Sequence, residues 1–136
     1  MRRLLRWRRD RRGDMAEAAV TLPIVLLATL ALVNLTIAGF ASVNAANAAN
    51  YGARVASVYQ ADQHGVAVGA ANQMISNAPI GDYKVSASGG GTPGSLLAVI
   101  VEWEVPNFFK GLITFFGGSG DDYSGQAVAY FRQEGW

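Results

Sequence analysis

The chain has 136 residues, enough for about one domain, and 51% of them are hydrophobic. It contains no cysteine, which excludes a disulfide, a thiolate nucleophile and a Cys-ligated metal site in this chain. The net charge of +1 conceals an asymmetry, because seven of the eleven basic residues precede Gly13. That segment carries +6 (seven Arg minus Asp10) and the rest carries −5 (four basic minus nine acidic residues). Such asymmetry indicates membrane topology or processing rather than a uniformly basic binding surface.

A long apolar segment follows the arginines, and no charged residue lies between Ala18 and Ala53. As a helix, residues 18–41 would extend about 36 Å, enough to cross a hydrocarbon core of ~30 Å. We predict a membrane-spanning helix here, in which Pro23 is tolerated because it lies near the start. The arginines place the N-terminus in the cytoplasm and the body outside. The expected location is the cytoplasmic (inner) membrane, crossed once, with the C-terminal domain extracytoplasmic.

Three other interpretations of this region fit the sequence less well. A secretory signal peptide has an apolar core of about 7–15 residues, shorter than this one, although Val43-x-Ala45 could pass for its cleavage site. A twin-arginine signal would place apolar residues after Arg11-Arg12, where the sequence has Gly-Asp-Met. The arginines could bind nucleic acid, but their position against an apolar segment is better explained by topology. We therefore predict no nucleic-acid partner.

The helical pattern continues past the apolar segment to about Tyr59. Small residues recur there on one side, which we call the small-residue face, and such faces allow two helices to approach closely. The face is predicted to pack either on copies of itself and related helices or on the chain's own C-terminal domain. Asn34, inside the span, is expected either to bond to a neighbouring helix or to be satisfied without a role. The small-residue face comprises Ala41, Ala45, Ala48, Ala49, Gly52, Ala53 and Ala56. The candidate helix-packing residues are Pro23, Asn34, Asn47, Ala48, Gly52 and Ala53.

The remaining sequence predicts a small α+β body. Alternating apolar residues indicate a strand over 96–105, and shorter patterns indicate strands over 82–88 and 125–133. A short helix is predicted over 65–77, after a turn at 62–65. Bulky apolar residues over 107–116 fit a short amphipathic helix, expected to cover one face of the sheet or else to touch the membrane surface or a partner. The predicted fold is a long N-terminal transmembrane helix extending into a body of a short helix and about three antiparallel strands.

Several motifs that resemble chemical sites fail on inspection. The loop Gly89–Ser95 has the glycine spacing of a phosphate loop but lacks its lysine. The loop Gly117–Asp122 matches half of one calcium-binding repeat, a site that needs stacked copies. Glu102 and Glu104 share one side of a strand, which favours a solvated sheet face over a glycosidase pair. His64 is the only histidine. We predict no catalytic residue, no metal, no cofactor and no enzymatic activity.

The N-terminal residues resemble those of TadE-like pseudopilins, which belong to tight-adherence (Tad/Flp) type IV pilus systems. The family pattern is an Arg-Gly step, then a glutamate, then an apolar helix with proline six residues past the glutamate. Gly13, Glu17 and Pro23 follow that order, with the same Glu-to-Pro spacing. A second segment, NAANYGARVASV, is similar to the family's NAA-x-x-GAR segment and is the more specific match. The resemblance covers roughly residues 9–60, and the C-terminal sheet only by architecture.

The resemblance implies a minor pilin that helps to initiate or organise assembly of a pilus or secretion apparatus. Residues 1–13 would be a leader, removed after Gly13 by a prepilin peptidase to leave Asp14 first. Residues 14–60 would form the anchoring helix and residues 61–136 the extracytoplasmic domain. Glu17 would then pair with the N-terminal amine of an adjacent subunit, the alternative being a carboxylate solvated by headgroups.

One departure from the pattern is that Glu17 is the fourth residue after Gly13, where the family usually has the fifth. The aromatic residue that often follows the glutamate is replaced by Ala18. The implied partners are other pilins or pseudopilins and the Tad assembly machinery, with incorporation into a pilus as one possible fate. The alternatives are a single-pass membrane protein with an extracytoplasmic partner-binding domain, and a cleaved, secreted domain.

Overall fold

The structure is a computed structural model that describes residues 2–134, with side chains described from Asp14 onward. It has the predicted α+β fold, in which a long apolar N-terminal helix is followed by a short helix and a three-stranded antiparallel sheet. The chain divides into two compact units, an N-terminal unit ending at Leu35 and a C-terminal unit beginning at Thr36. In chain order the elements are α1 (Arg2–Ser57), α2 (Gln63–Ile75), β1 (Asp82–Gly89), β2 (Leu96–Val105), α3 (Lys110–Phe115) and β3 (Tyr123–Arg132).

The sheet consists of the three strands in sequence order, with β2 in the middle. β1 pairs with β2 from Asp82↔Glu104 to Gly89↔Leu97, so a short glycine-rich loop joins the two strands. Gly89 has φ +79°, and a Cβ there would lie 2.3 Å from the carbonyl oxygen of Leu96. A side chain at this position would meet both backbone strain and a clash. The glycine run therefore closes a hairpin and does not open a helix as a phosphate loop would.

The core lies on one face of the sheet and is built largely from alanines. Leu97, Val99 and Val101 of β2 are fully buried, whereas Glu102 and Glu104 on the opposite face are exposed. This alternation is the one that the period-two pattern predicts for a half-buried strand. Small side chains let both helices lie close to the sheet. The alanines in the core cluster are Ala45, Ala48, Ala49, Ala53 and Ala56 from α1, Ala67 and Ala71 from α2, and Ala129 from β3.

Helix α2 begins at Gln63, inside the segment for which the sequence predicts a turn. Asp62 precedes it in the left-handed region, with φ 50°. Its Oδ1 atom accepts a hydrogen bond from the amide of Gly65 at 3.3 Å. A side-chain acceptor at the start of a helix satisfies one of the free amides of the first turn. The polar residues after Asp62 are therefore the first turn of the helix.

The predicted helix over 107–116 is shorter in the structure, and its expected role as a cover for the sheet is wrong. Helix α3 starts only at Lys110 and contains no buried residue. Asn107 forms a local turn before it, because its Oδ1 accepts a bond from the amide of Phe109 at 3.1 Å. Side-chain acceptors of this kind compete with helix formation.

Strand β3 also differs from its predicted bounds. It begins at Tyr123, opposite Val105, two residues earlier than predicted.

Candidate functional site

The apolar surface of α1 is the most prominent candidate site in the N-terminal unit. Its described side chains are exposed as far as Val33, except for Leu27 and Leu30, which are partly buried. Val20, for example, is 67% exposed and Leu22 is 66% exposed. The helix segment Asp14–Ser57 is long and apolar enough to cross a membrane, judged by length and composition. Apolar surface of this extent marks a contact with lipid or with other protein.

The predicted processing and assembly residues lie at the start of this surface. The bond between Gly13 and Asp14 lies inside α1, and the side chains of Asp14 and Glu17 are exposed. Glu17 is the last charged residue before Arg54. The hydroxyl of Thr21 donates a hydrogen bond to the backbone carbonyl of Glu17. That bond satisfies the hydroxyl of Thr21, and Glu17 is the charged residue nearest to the apolar segment.

Pro23 and Asn34 are the two unusual residues within the apolar segment. Pro23 is exposed and has helix on both sides. It has no amide hydrogen, so it cannot donate the helical bond that the carbonyl of Ala19 would accept. Asn34 is only 1% exposed, whereas its neighbours Val33 and Leu35 are 43% and 64% exposed. The structure thus places Asn34 on a more protected side of α1 than the residues next to it.

The later part of the small-residue face packs inside the C-terminal unit. A Cβ on Gly52 would lie 2.6 Å from the carbonyl oxygen of Ala67 and 3.0 Å from the Cβ of Ala71. Helices α1 and α2 are therefore in backbone contact at Gly52. Ala48 and Ala53 are fully buried in the same core. Of the two predicted partners for this face, the chain's own domain occupies these three positions, which are not available to another subunit.

The asparagines of α1 lie outside this contact. Asn47 and Asn50 are exposed and Asn44 is half-buried. The amide group of Asn50 donates to the carbonyl of Ala46 at 2.8 Å. Asn47, a predicted packing residue, is therefore not part of the core that holds Ala48, Gly52 and Ala53. It remains on the surface, where a contact with another helix is sterically open.

A contact between α2 and the glycine-rich loop was missed by the sequence reasoning. The Gln63 side chain, 7% exposed, donates from Nε2 to the carbonyl of Tyr59 at 2.6 Å and accepts at Oε1 from the amide of Gly91 at 3.0 Å. Nearby, Nε2 of His64 lies 2.6 Å from the carbonyl oxygen of Gly89. A glutamine in a polar turn gives no periodic signal, so only the fold reveals these bonds.

We expect Gln63→Leu to destabilise the C-terminal unit by about 1–3 kcal/mol, because it leaves two backbone groups without their partner. The measurement is the urea midpoint of the full chain in detergent, followed by near-ultraviolet circular dichroism. Gln73→Leu is the matched control, since Gln73 lies on the same helix with an exposed side chain. Equal midpoints for the two variants would show that the Gln63 bonds contribute nothing.

The outer face of the sheet carries an acidic depression of about 380 Å³. Asp82 lies opposite Glu104, and Lys84 lies opposite Glu102. Glu102 and Glu104 are exposed, as a solvated sheet face requires. Within the described residues, no group of three or more histidines or carboxylates is arranged to hold a metal ion. The depression therefore offers charge complementarity to a cationic partner, but it shows no pairing of a nucleophile with a base.

The loop before β3 is bonded to Asn107, which follows β2. Oδ1 of Asp122 accepts a hydrogen bond from the amide of Asn107 at 3.0 Å, and the side-chain amide of Asn107 reaches the carbonyl of Asp121 at 3.4 Å. These two bonds therefore hold the residue after β2 against the residues that precede β3.

Comparison of the chain with protein-family models, with curated proteins and with solved structures gave no match.

Proposed function

We propose that this chain is a non-enzymatic pilin-like subunit of the TadE-like class, anchored in the inner membrane by α1. In this role it helps to initiate or organise assembly of a Tad/Flp-type pilus or secretion apparatus. The observation that carries the proposal is the order Gly13, Glu17, Pro23 at the start of a helix whose apolar side chains stay exposed. Its partners would be a prepilin peptidase, other pilins or pseudopilins and the assembly machinery.

The division of α1 into two chemically different parts supports this proposal. Up to Val33 the helix presents apolar side chains outward, and from Ala45 it buries alanines against its own sheet. A subunit that leaves a membrane for an assembly needs an apolar helix that either lipid or neighbouring helices can cover. It also needs a domain that stays folded during the transfer, and an alanine face packed within one chain meets that need.

The isolated charge of Glu17 supports an assembly role. A carboxylate costs roughly 2.5–3.5 kcal/mol at the centre of a bilayer and less at its edge. A cation from a neighbouring subunit would offset that cost and fix the neighbour's position along the helix. After cleavage at Gly13, the new amine of Asp14 on such a neighbour is a cation of the required kind.

A single-pass membrane protein with an extracytoplasmic partner-binding domain is the second candidate. The acidic depression on the outer face of the sheet favours it, because a cationic partner would find Asp82, Glu102 and Glu104 together. This candidate requires no processing at Gly13.

The N-terminus of the protein in its native membrane distinguishes these functions. We expect intact-mass measurement and N-terminal sequencing to show a chain that starts at Asp14. A Gly13→Leu variant should keep its leader, because the bulky side chain occupies the position before the cut. A native chain that still starts at Met1 would favour the partner-binding protein. A start beyond Val43 would indicate a secreted domain instead.

A further inference from the structure

Three exposed phenylalanines lie in or next to α3 in the C-terminal unit. Phe115 is 82% exposed, Phe116 is 59% exposed and Phe108 is 57% exposed. The rings of Phe115 and Phe116 pack edge to face, with centroids 5.3 Å apart. Single exposed apolar residues are ordinary, but three largely exposed aromatic rings within one short segment indicate a contact surface. We name these three residues the aromatic patch.

Hydrogen bonds define the start of the segment that carries the aromatic patch and close the end of α3 within it. Before α3, the amide of Asn107 donates to Asp122 at 3.0 Å. After α3, the amide of Gly118 donates to the carbonyl of Ile113 at 2.9 Å. β2 and β3 are still paired next to the segment, at Val105↔Tyr123. The segment is therefore bonded to the loop before β3 at its start, and α3 itself buries none of its residues.

The pairing and length of β2 indicate where the aromatic patch lies relative to the end of α1 at Ser57. β2 starts beside the end of α1, because Leu96 pairs with Arg132 and the amide of Glu134 donates to the carbonyl of Ser57 at 2.9 Å. From Leu96, β2 extends about 30 Å to Val105. From Ser57 back to Thr36, α1 extends about 32 Å. The core joins Leu97, Val99 and Val101 to the alanines between these ends of the helix. The patch, which follows Val105, therefore lies beyond the end of β2 that is far from Ser57.

We propose that Phe108, Phe115 and Phe116 insert into the outer headgroup region of the bilayer that α1 spans. The domain would then have a second membrane contact besides α1. This inference rests on the proposed anchoring, in which the span ends near Ala41 and the outer membrane surface meets the Thr36 end of the unit. Lipid is the occupant that fits the chemistry, because the patch offers apolar rings without directional hydrogen-bonding groups. Lys110, exposed beside it, can extend its ammonium group toward lipid phosphates.

The absence of native cysteine allows this contact to be measured with single labels on the full chain. We choose Phe115→Cys for the patch, Val25→Cys for the span and Tyr130→Cys, 66% exposed on β3, as the aqueous reference. Each variant carries an environment-sensitive nitrobenzoxadiazole label and is placed at one copy per phosphatidylcholine–phosphatidylglycerol nanodisc. We expect the labels at 115 and 25 to be blue-shifted and quenched by spin-labelled lipid, and the label at 130 to show neither effect.

The outcomes separate this inference from the anchoring on which it rests. A lipid signal at 25 together with an aqueous signal at 115 would overturn the second contact and leave the anchor intact. An aqueous signal at 25 would overturn the anchor and the second contact with it. A label at 115 that is blue-shifted but not quenched by spin-labelled lipid would indicate that protein covers the patch, which also overturns the inference.

A second comparison tests whether the rings act together. With the label at Phe108→Cys, the added change Phe116→Ser should reduce the blue shift, since part of the inserted surface is lost. Leu96→Ser is the matched control, because Leu96 and Phe116 are both 59% exposed and Leu96 lies at the opposite end of β2. Equal shifts in the two double variants would contradict a shared lipid contact.

Discussion

Gly52→Val is expected to destabilise the C-terminal unit by about 3 kcal/mol, near the upper end of the usual cost of overpacking. The atom that the new side chain meets is the carbonyl oxygen of Ala67, 2.6 Å from the Cβ position. A backbone atom cannot rotate away as a side chain can, so α2 must shift off α1. Valine regains only a few tenths of a kcal/mol from its higher helix propensity. The measurement is amide hydrogen exchange of β2 in the full chain, which reports opening of the sheet directly.

Gly69→Ala is the control for the Gly52 variant. Gly69 lies on α2, where an added Cβ meets no atom within 4 Å. Its replacement should stabilise the helix by up to about 1 kcal/mol through propensity alone. If Gly52→Val protected the β2 amides as well as Gly69→Ala does, the backbone contact between α1 and α2 would be refuted.

Glu17→Ala is expected to abolish pilus assembly while leaving cleavage after Gly13 intact. The substitution removes the only charge between Asp14 and Arg54, and with it the attraction that would register neighbouring subunits. A loss of about 1.4 kcal/mol per contact already means a tenfold weaker association. Because each subunit in an assembly makes such contacts, the defect should be close to complete. The measurement is the amount of fibre sheared from cells, with the mass of the membrane-bound subunit recorded in parallel.

Thr21→Val is the control for Glu17, one turn further along α1. It removes a hydroxyl that bonds only to the backbone carbonyl of Glu17, and it leaves the charge in place. Assembly should be normal in this variant. Normal fibres in Glu17→Ala as well would show that the carboxylate has no assembly role, whatever the fate of the leader.

Local patterns in the sequence predicted the regular elements that depend on one strong periodicity. β2 has the predicted bounds, Leu96–Val105, because more buried residues alternate with more exposed ones along its whole length. The apolar helix was predicted from the length and composition of its uncharged segment. The start of α3 was not predicted, because it depends on the side chain of Asn107 and on Asp122, fifteen residues away in sequence. Bonds of that range leave no trace in a hydrophobic pattern.

The candidate site divides in the same way. Gly13, Glu17 and Pro23 form a short linear pattern, so the sequence could suggest them by resemblance alone. The sequence predicted the small-residue face from its alanines and glycine. It could not predict what packs on that face, because alanine and glycine allow close approach to any neighbour. Only the fold assigns Ala48, Gly52 and Ala53 to α2 and the sheet. The exposure of the phenylalanines near α3 likewise could not be predicted from the local sequence pattern, because it depends on how the whole loop folds.

The alanine face of α1 determines where this protein can be shortened. A fragment that begins at residue 61, where the anchoring helix was expected to end, would lack all five alanines that α1 contributes to the core. Leu97, Val99 and Val101 would then face water on the side where the helix belongs. A fragment that begins at Thr36 keeps them covered. The smallest fragment that keeps this core covered therefore includes more than twenty residues of α1.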